Sequence, residues 1–200
     1  YGVALDIKDF NGTVGGNISG TSDLAPLDQQ ADMLLELLPE AQNVGILYCS
    51  AEANSVYQAD VVKAALEEKG VTVTVYTFAD SNDVATVTQT ACAENDALYI
   101  PTDNTAASCT EAINNVAEPA GVPIVAGEEG ICKGCGIATL SIDYYELGKT
   151  TGAMAAKILT GEANVSEMPI EYYQNPVKKY DVARCEALGI TVPADYVAIG

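Results

Sequence analysis

The stretch "ALYIPTDNT", residues 97–105, decides the fold, because an apolar run ends there in a cluster of small polar residues. Residues 97–100 have the length and composition of a buried strand. Pro101 stops the strand, and the polar residues that follow it favour a loop leading into a helix. Such an ending is typical of a sheet that carries a binding site where its strands finish.

Similar short apolar runs recur along the chain, and amphipathic segments fill the gaps between them. The runs cover 44–49, 71–78, 97–101, 122–126 and 137–142. Alternation of this kind is typical of right-handed strand–helix–strand units. The sequence therefore predicts an α/β fold, with an open parallel sheet and helices on both faces.

Composition and charge exclude several classes of function. The chain contains no histidine, which excludes Ser-His-Asp and Cys-His nucleophilic sites and every metal site that uses histidine. Nine basic and 28 acidic residues give a net charge of −19, which would repel a nucleic acid. The sequence has no apolar run of membrane-spanning length.

Cys132 and Cys135 form the one cysteine motif, "CKGC", which lies among glycines. Zinc would require a second pair at comparable spacing, so we expect no metal site. The surrounding glycines predict a turn, whereas a redox-active pair would sit at a helix start. A local disulfide and two free thiols both fit this pattern.

Polar residues follow four of the predicted strands, and the carboxyl ends of parallel strands meet at one edge. We therefore predict a ligand site there. Its candidate residues are Glu52, Asn54 and Ser55; Asp103, Asn104 and Thr105; Glu128; and Asp143, Tyr144 and Tyr145.

These groups suit the capture of a small zwitterion. Free N–H groups at helix starts near Asn54 and Asn104 would bind a carboxylate. The carboxylates of Asp103, Glu128 and Asp143 would accept from an ammonium group. The two tyrosines would border an apolar side chain, although adjacent strand residues cannot both point inward. For Ser55 and Thr105, helix capping is an equally good explanation.

Five segments give the chain a family resemblance. They are "NISGTSD" at 17–23, "SAEANS" at 50–55, "PTDNT" at 101–105, "IDYYELG" at 142–148 and "ALGITVP" at 187–193. The chain resembles substrate-binding proteins of ABC importers that have the type I periplasmic-binding-protein fold, including the TrpX-like tryptophan and phenylalanine binders. This resemblance implies an amino-acid ligand, with an aromatic side chain as in those binders, held in a cleft between two lobes.

The resemblance also implies a permease partner, an extracytoplasmic location, and neither catalysis nor a cofactor. It implies that 1–16 end a truncated first lobe and that 17–23 cross to a second lobe at 24–141. Residues 142–164 would return a helix to the first lobe, and 165–200 would cross back and finish the chain. Any membrane contact would use an N-terminal lipoprotein anchor outside this sequence.

Two other functions remain open. A ligand-sensing domain of an extracytoplasmic receptor would use the same fold and the same edge residues. A Rossmann-like or flavodoxin-like enzyme is the weaker alternative, because the sequence shows no phosphate-binding loop, catalytic base or nucleophile.

Overall fold

The computed structural model describes residues 12–199. Most of the predicted first-lobe remnant at 1–16, and residue 200 of the predicted final segment, therefore lie outside the described residues. Contacts divide the chain into two units. The small unit combines the described part of Tyr1–Ala25 with Ile142–Pro176, and the sheet unit combines Pro26–Ser141 with the described part of Val177–Gly200. The assignment of segments to lobes and crossings stays a prediction.

The strands and helices follow one another along the chain in mostly alternating order. The strands are β1 (Thr21–Ser22), β2 (Asn43–Cys49), β3 (Thr72–Phe78), β4 (Ala97–Ile100), β5 (Ile124–Ala126), β6 (Ala138–Ser141), β7 (Glu171–Tyr172), β8 (Val177–Tyr180) and β9 (Val197–Ala198). The α-helices are α1 (Leu27–Leu37), α2 (Ala53–Glu68), α3 (Val84–Glu94), α4 (Asn104–Ser108), α5 (Thr110–Ala120), α6 (Glu129–Cys135), α7 (Tyr144–Leu159) and α8 (Val182–Ala187), and Val165–Glu167 form a 3-10 helix.

The sheet unit contains a seven-stranded sheet in the order β3-β2-β4-β5-β6-β8-β9. The first five of these strands are mutually parallel, which confirms the predicted open parallel sheet. Strand β8 runs antiparallel to β6, and β9 lies parallel to β8. The sequence did not predict these two strands, because two of the four residues of β8 are lysines and β9 has only two residues.

Helices cover both faces of this sheet. Helices α3, α5 and α6 share one hydrophobic core with Leu47, Ile100 and Ile124. Neighbouring strand residues such as Ile46 and Tyr99 are fully buried on the other face. Strands covered on both sides favour apolar residues, which explains the continuous apolar runs of β4, β5 and residues 44–49 of β2, whereas β6 also buries Thr139 and Ser141.

Helix α6 corrects the expectation that Cys132 and Cys135 lie in a turn. Both cysteines lie within α6, which forms although the segment contains Gly130 and Gly134. Arg184 stabilises the end of α6, because its guanidinium donates to the carbonyl oxygens of Lys133 at 3.2 Å and Gly134 at 2.8 Å. Gly134 is required by close packing, since a Cβ there would lie 2.3 Å from the side chain of Thr110. Both thiols are free.

The small unit is built around helix α7 and a two-stranded sheet. Strands β1 and β7 are parallel, with Thr21 opposite Glu171. The Oγ1 atoms of Thr21 and Thr151 lie 2.7 Å apart and join β1 to α7. Within residues 12–199, the length and apolarity needed to cross a bilayer are not combined in any helix.

Candidate functional site

The carboxyl ends of β2, β4 and β5 carry seven of the ten predicted site residues. We define the carboxyl edge as residues 50–55, 101–105 and 127–128. The structure brings six of the predicted residues into direct contact through side-chain hydrogen bonds, namely Glu52, Asn54, Ser55, Asp103, Asn104 and Thr105. Glu128 follows β5, the next strand of the sheet.

Asp103 is the buried centre of the carboxyl edge. Only 1% of the residue is exposed. Its Oδ1 accepts from the backbone N–H of Ala106 at 2.7 Å, which caps helix α4. Its Oδ2 accepts from the N–H of Cys49 at 2.8 Å and from the hydroxyl of Ser55 at 2.7 Å. Asp103 therefore ties β2, α2 and α4 together, and its predicted ligand contact stays a prediction.

Glu52 also caps helix α4, although it lies at the start of α2. One carboxylate oxygen accepts from the N–H and side-chain amide of Asn104, at 2.9 and 2.8 Å. The other accepts from the N–H and hydroxyl of Thr105, both at 2.8 Å. Desolvation raises the pKa of Glu52, but these four hydrogen bonds outweigh it and hold the pKa below its ordinary value.

Together these two carboxylates remove the anion site that we predicted at the start of α4. They occupy the N–H groups of Asn104, Thr105 and Ala106, so the expectation of free donors there is wrong. Ser55 and Thr105 are not caps, because each donates its hydroxyl to one of the capping acids.

Glu128 is the third capping carboxylate of the edge. Its side chain accepts from the N–H of Gly130 at 2.7 Å and from the N–H of Ile131. It thereby closes the start of α6 directly after β5. Its predicted role as an ammonium acceptor stays a prediction.

Helix α2 begins differently, because no side chain accepts from its first turn. The N–H groups of Ser55 and Val56 bond to the carbonyl oxygen of Glu52. The N–H groups of Ala53 and Asn54 have no acceptor in the described part of the chain, and both residues are exposed. At the carboxyl edge, the start of α2 thus offers the donors that an anion could use.

Two buried glutamines bond to the backbone of the carboxyl edge, and neither is among the residues predicted from the sequence. Gln58 bonds to both backbone groups of Thr102. Gln30 donates to the carbonyl oxygen of Gly127 at 3.3 Å and accepts from the hydroxyl of Tyr99. Both lie within helices whose apolar spacing gave no signal of such contacts.

The remaining three predicted residues belong to the small unit. Asp143 caps α7, because its Oδ1 accepts from the N–H groups of Tyr145 at 2.9 Å and Glu146 at 3.1 Å. We expected one of the adjacent tyrosines to be packed, on the assumption that they lie on a strand. Both lie on the first turn of a helix instead, with Tyr144 52% and Tyr145 76% exposed.

The cysteines do not belong to any cluster of metal ligands in the described residues. No group of three or more Cys, Asp or Glu residues within 12–199 could hold a metal ion. Burial raises the pKa of the Cys135 thiol to about 12 and also raises the pKa of Cys132. Burial therefore favours the protonated thiols over the nucleophilic thiolates.

Comparison with known proteins gives a consistent family relationship. The family model described as ABC transporter substrate binding protein matches residues 3–197. A tyrosine-binding protein of Clostridioides difficile strain R20291 is 32% identical over 156 residues, which are 78% of this chain and 45% of that protein.

Two solved structures extend this comparison. An ABC domain from Streptococcus pneumoniae in complex with L-Trp is 30% identical, with a TM-score of 0.84, over 92% of this chain and 62% of that one. A ligand-free, open substrate binding protein with adhesive properties from Clostridium difficile is 32% identical, with a TM-score of 0.74, over 93% and 64%. The chain thus spans about half to two thirds of the length of these relatives.

Proposed function

Because this chain belongs to the family of ABC transporter substrate binding proteins, we propose that it binds a free amino acid with an aromatic side chain. The observation that carries this proposal is the likeness to the S. pneumoniae protein in complex with L-Trp. The tyrosine-binding relative supports the same ligand class. Binding without chemical conversion also accords with a chain that contains no histidine.

The carboxyl edge would form one wall of a cleft between two lobes of the complete protein. The start of α2 would bind the ligand carboxylate, because the N–H groups of Ala53 and Asn54 are exposed and have no acceptor in the described residues. The 16-residue length of α2 adds its dipole to these donors. Asp103, Glu128 and Asp143 remain the predicted ammonium acceptors, and Tyr144 and Tyr145 the predicted border of the ligand's side chain.

The family also supports a place for the protein in transport. We propose that it works outside the cytoplasm and delivers its amino acid to an ABC permease for import. The net charge of −19 keeps such a protein soluble and apart from anionic lipid.

A ligand screen tests the proposal directly. Thermal unfolding would be followed with each of the twenty amino acids and with a set of sugars. We expect tryptophan, tyrosine or phenylalanine to raise the unfolding temperature, because a ligand that binds the folded state stabilises it. Failure of every amino acid to do so in the complete chain would contradict the proposal.

The substitution Ala53→Pro then tests the carboxylate site. Proline suits the first position of a helix, and Glu52 before it already has the extended backbone that proline requires. The variant loses one proposed donor and should fold normally, with affinity lowered by ~1.5–3 kcal/mol. Val182→Pro makes the same change at the start of α8, whose preceding residue is also extended, and should leave affinity unchanged.

A further inference from the structure

Gln58 hydrogen-bonds to both backbone groups of Thr102, a residue of the carboxyl edge. It lies in the second turn of α2 and is 1% exposed. Its Oε1 accepts from the backbone N–H of Thr102 at 3.0 Å, and its Nε2 donates to the carbonyl oxygen of Thr102 at 3.1 Å. The same Nε2 donates to the carbonyl oxygen of Asn54 at 3.1 Å. One side chain thus joins the start of α2 to residues 101–105.

Thr102 is held from its other side as well. Its hydroxyl donates to the carbonyl oxygen of Gly127 at 3.3 Å. A Cβ on Gly127 would lie only 2.5 Å from the backbone nitrogen of Thr102, so the two backbones are in direct contact. The carbonyl oxygen of Gly127 also accepts from Gln30. A continuous row of polar contacts therefore crosses the carboxyl edge, from Gln30 through Gly127 and Thr102 to Gln58.

Packing alone does not require this row. Methionine would fill the volume of either glutamine without a polar group to desolvate. It would, however, leave the N–H of Thr102 without its side-chain partner, and the carbonyl oxygen of Thr102 would keep only the amide of Asn54, at 2.9 Å. What the amide group adds is a fixed position for Thr102 and for the residues of α4 that follow it.

We propose that Gln58 is a positioning residue for ligand binding, which fixes residues 101–105 against the start of α2 before the ligand arrives. This inference rests on the proposed function. If residues 101–105 are already ordered in the free protein, binding does not lose the conformational entropy of ordering them, and the affinity for the ligand is higher.

The test compares Gln58→Met with a control of similar burial at the opposite edge of the sheet. Asn95→Leu removes a buried amide that donates to the Tyr76 hydroxyl and the Ala91 carbonyl oxygen, both at 2.8 Å, just before β4. Calorimetry would give the Kd for L-tryptophan, L-tyrosine and L-phenylalanine. Amide hydrogen exchange would report the order of residues 102–105. Both measurements use the complete chain at a temperature where every variant is folded.

We expect Gln58→Met to weaken binding about tenfold and to speed amide exchange at 102–105. We expect Asn95→Leu to lose stability while leaving both quantities at their wild-type values. Equal affinity loss in the two variants, or unchanged affinity in Gln58→Met, would overturn the proposal. Unchanged amide exchange at 102–105 in Gln58→Met would also overturn the positioning role. Failure of the wild type to bind any of the three amino acids would instead contradict the proposed function.

Discussion

Asp103 shows how this protein accommodates a carboxylate beneath a sheet edge. The donors that the structure gives it are two backbone N–H groups and one hydroxyl, all of them neutral. Hydrogen bonds from neutral dipoles can stabilise a buried charge when they converge on it. Asp103 therefore connects β2, α2 and α4, whereas an ordinary helix cap bonds only to its own helix.

Replacement of Asp103 by alanine should destabilise the fold. The change leaves the N–H groups of Cys49 and Ala106 and the hydroxyl of Ser55 without an acceptor, so we expect a loss of about 2–4 kcal/mol in unfolding free energy. Urea denaturation measures this. Asp83→Ala is the control, because Asp83 is exposed and makes no side-chain cap bond to α3. A stable Asp103→Ala variant that no longer binds ligand would instead assign Asp103 to the ligand.

The roles of the edge residues could be predicted only in part. Their common location follows from strand direction, which the apolar runs reveal. Glu52, however, caps a helix that begins 52 residues later in the chain, and no local pattern signals such a bond. The contact of Gln58 with Thr102 spans 44 residues and is equally invisible. Side-chain partners at this range depend on packing between elements.

Glu129 of helix α6 joins this helix to the sheet through a small network of hydrogen bonds and ion pairs. Its carboxylate accepts from Lys179 of β8 at 2.6 Å, from the Ser141 hydroxyl of β6 at 3.0 Å, and it pairs with Lys133 at 3.1 Å. The Lys179 hydrogen bond is the main cause that lowers the pKa of Glu129 to about 2, against the opposing effect of desolvation. The network joins the antiparallel strand β8 to the parallel part of the sheet.

This network should give the protein a measurable acid sensitivity. A carboxyl group whose pKa falls from 4.5 to about 2 on folding stabilises the folded state above pH 4.5. That contribution is lost as the pH falls from 4.5 towards 2. At pH 7 we expect Glu129→Gln to lower the unfolding free energy by ~1 kcal/mol, because the groups are partly exposed. Denaturation at several pH values measures the difference, and a gap that persisted at pH 2 would contradict this origin.

Elements differ in how well the sequence predicts them. Strands β2, β4, β5 and β6 are found directly from the sequence because they are buried on both faces, whereas the edge strand β3 is found although several of its residues are exposed. The start of helix α3 is harder to place from the sequence, because Asp80 accepts from the N–H of Asn82 at 2.8 Å and holds a turn before the helix begins at Val84. Strand β8 depends on its partner β6 and on the Lys179 pair with Glu129, so its own four residues carry too little signal.

The charge of the whole molecule opposes its compact state. Acidic residues outnumber basic ones by 28 to 9. Much of the basic charge that the structure describes is already paired, as in the contacts of Lys69 with Asp32 and of Lys178 with Glu36 and Asp195. The unpaired excess is negative, so like charges repel across the surface.

Salt should therefore stabilise the protein at neutral pH. Addition of 0.5 M sodium chloride, roughly three times physiological ionic strength, shortens the Debye length and screens this repulsion. We expect the unfolding midpoint to rise by about 2–4 °C, equivalent to ~1 kcal/mol for a chain of this size. Calorimetry with a non-ionic osmolyte as control measures the shift. A lower midpoint in salt would show that the ion pairs dominate the repulsion.

The six thiols differ in burial, so the folded protein should offer one thiol for chemical labelling. Five cysteines are buried, whereas Cys109 is partly accessible and lies between α4 and α5. A maleimide dye should accordingly attach once to the folded chain, beside the segment that Gln58 anchors, and six times in denaturant. A fluorophore at Cys109 would lie four residues beyond Thr105, so its emission would test without any substitution whether ligand binding alters this end of the carboxyl edge.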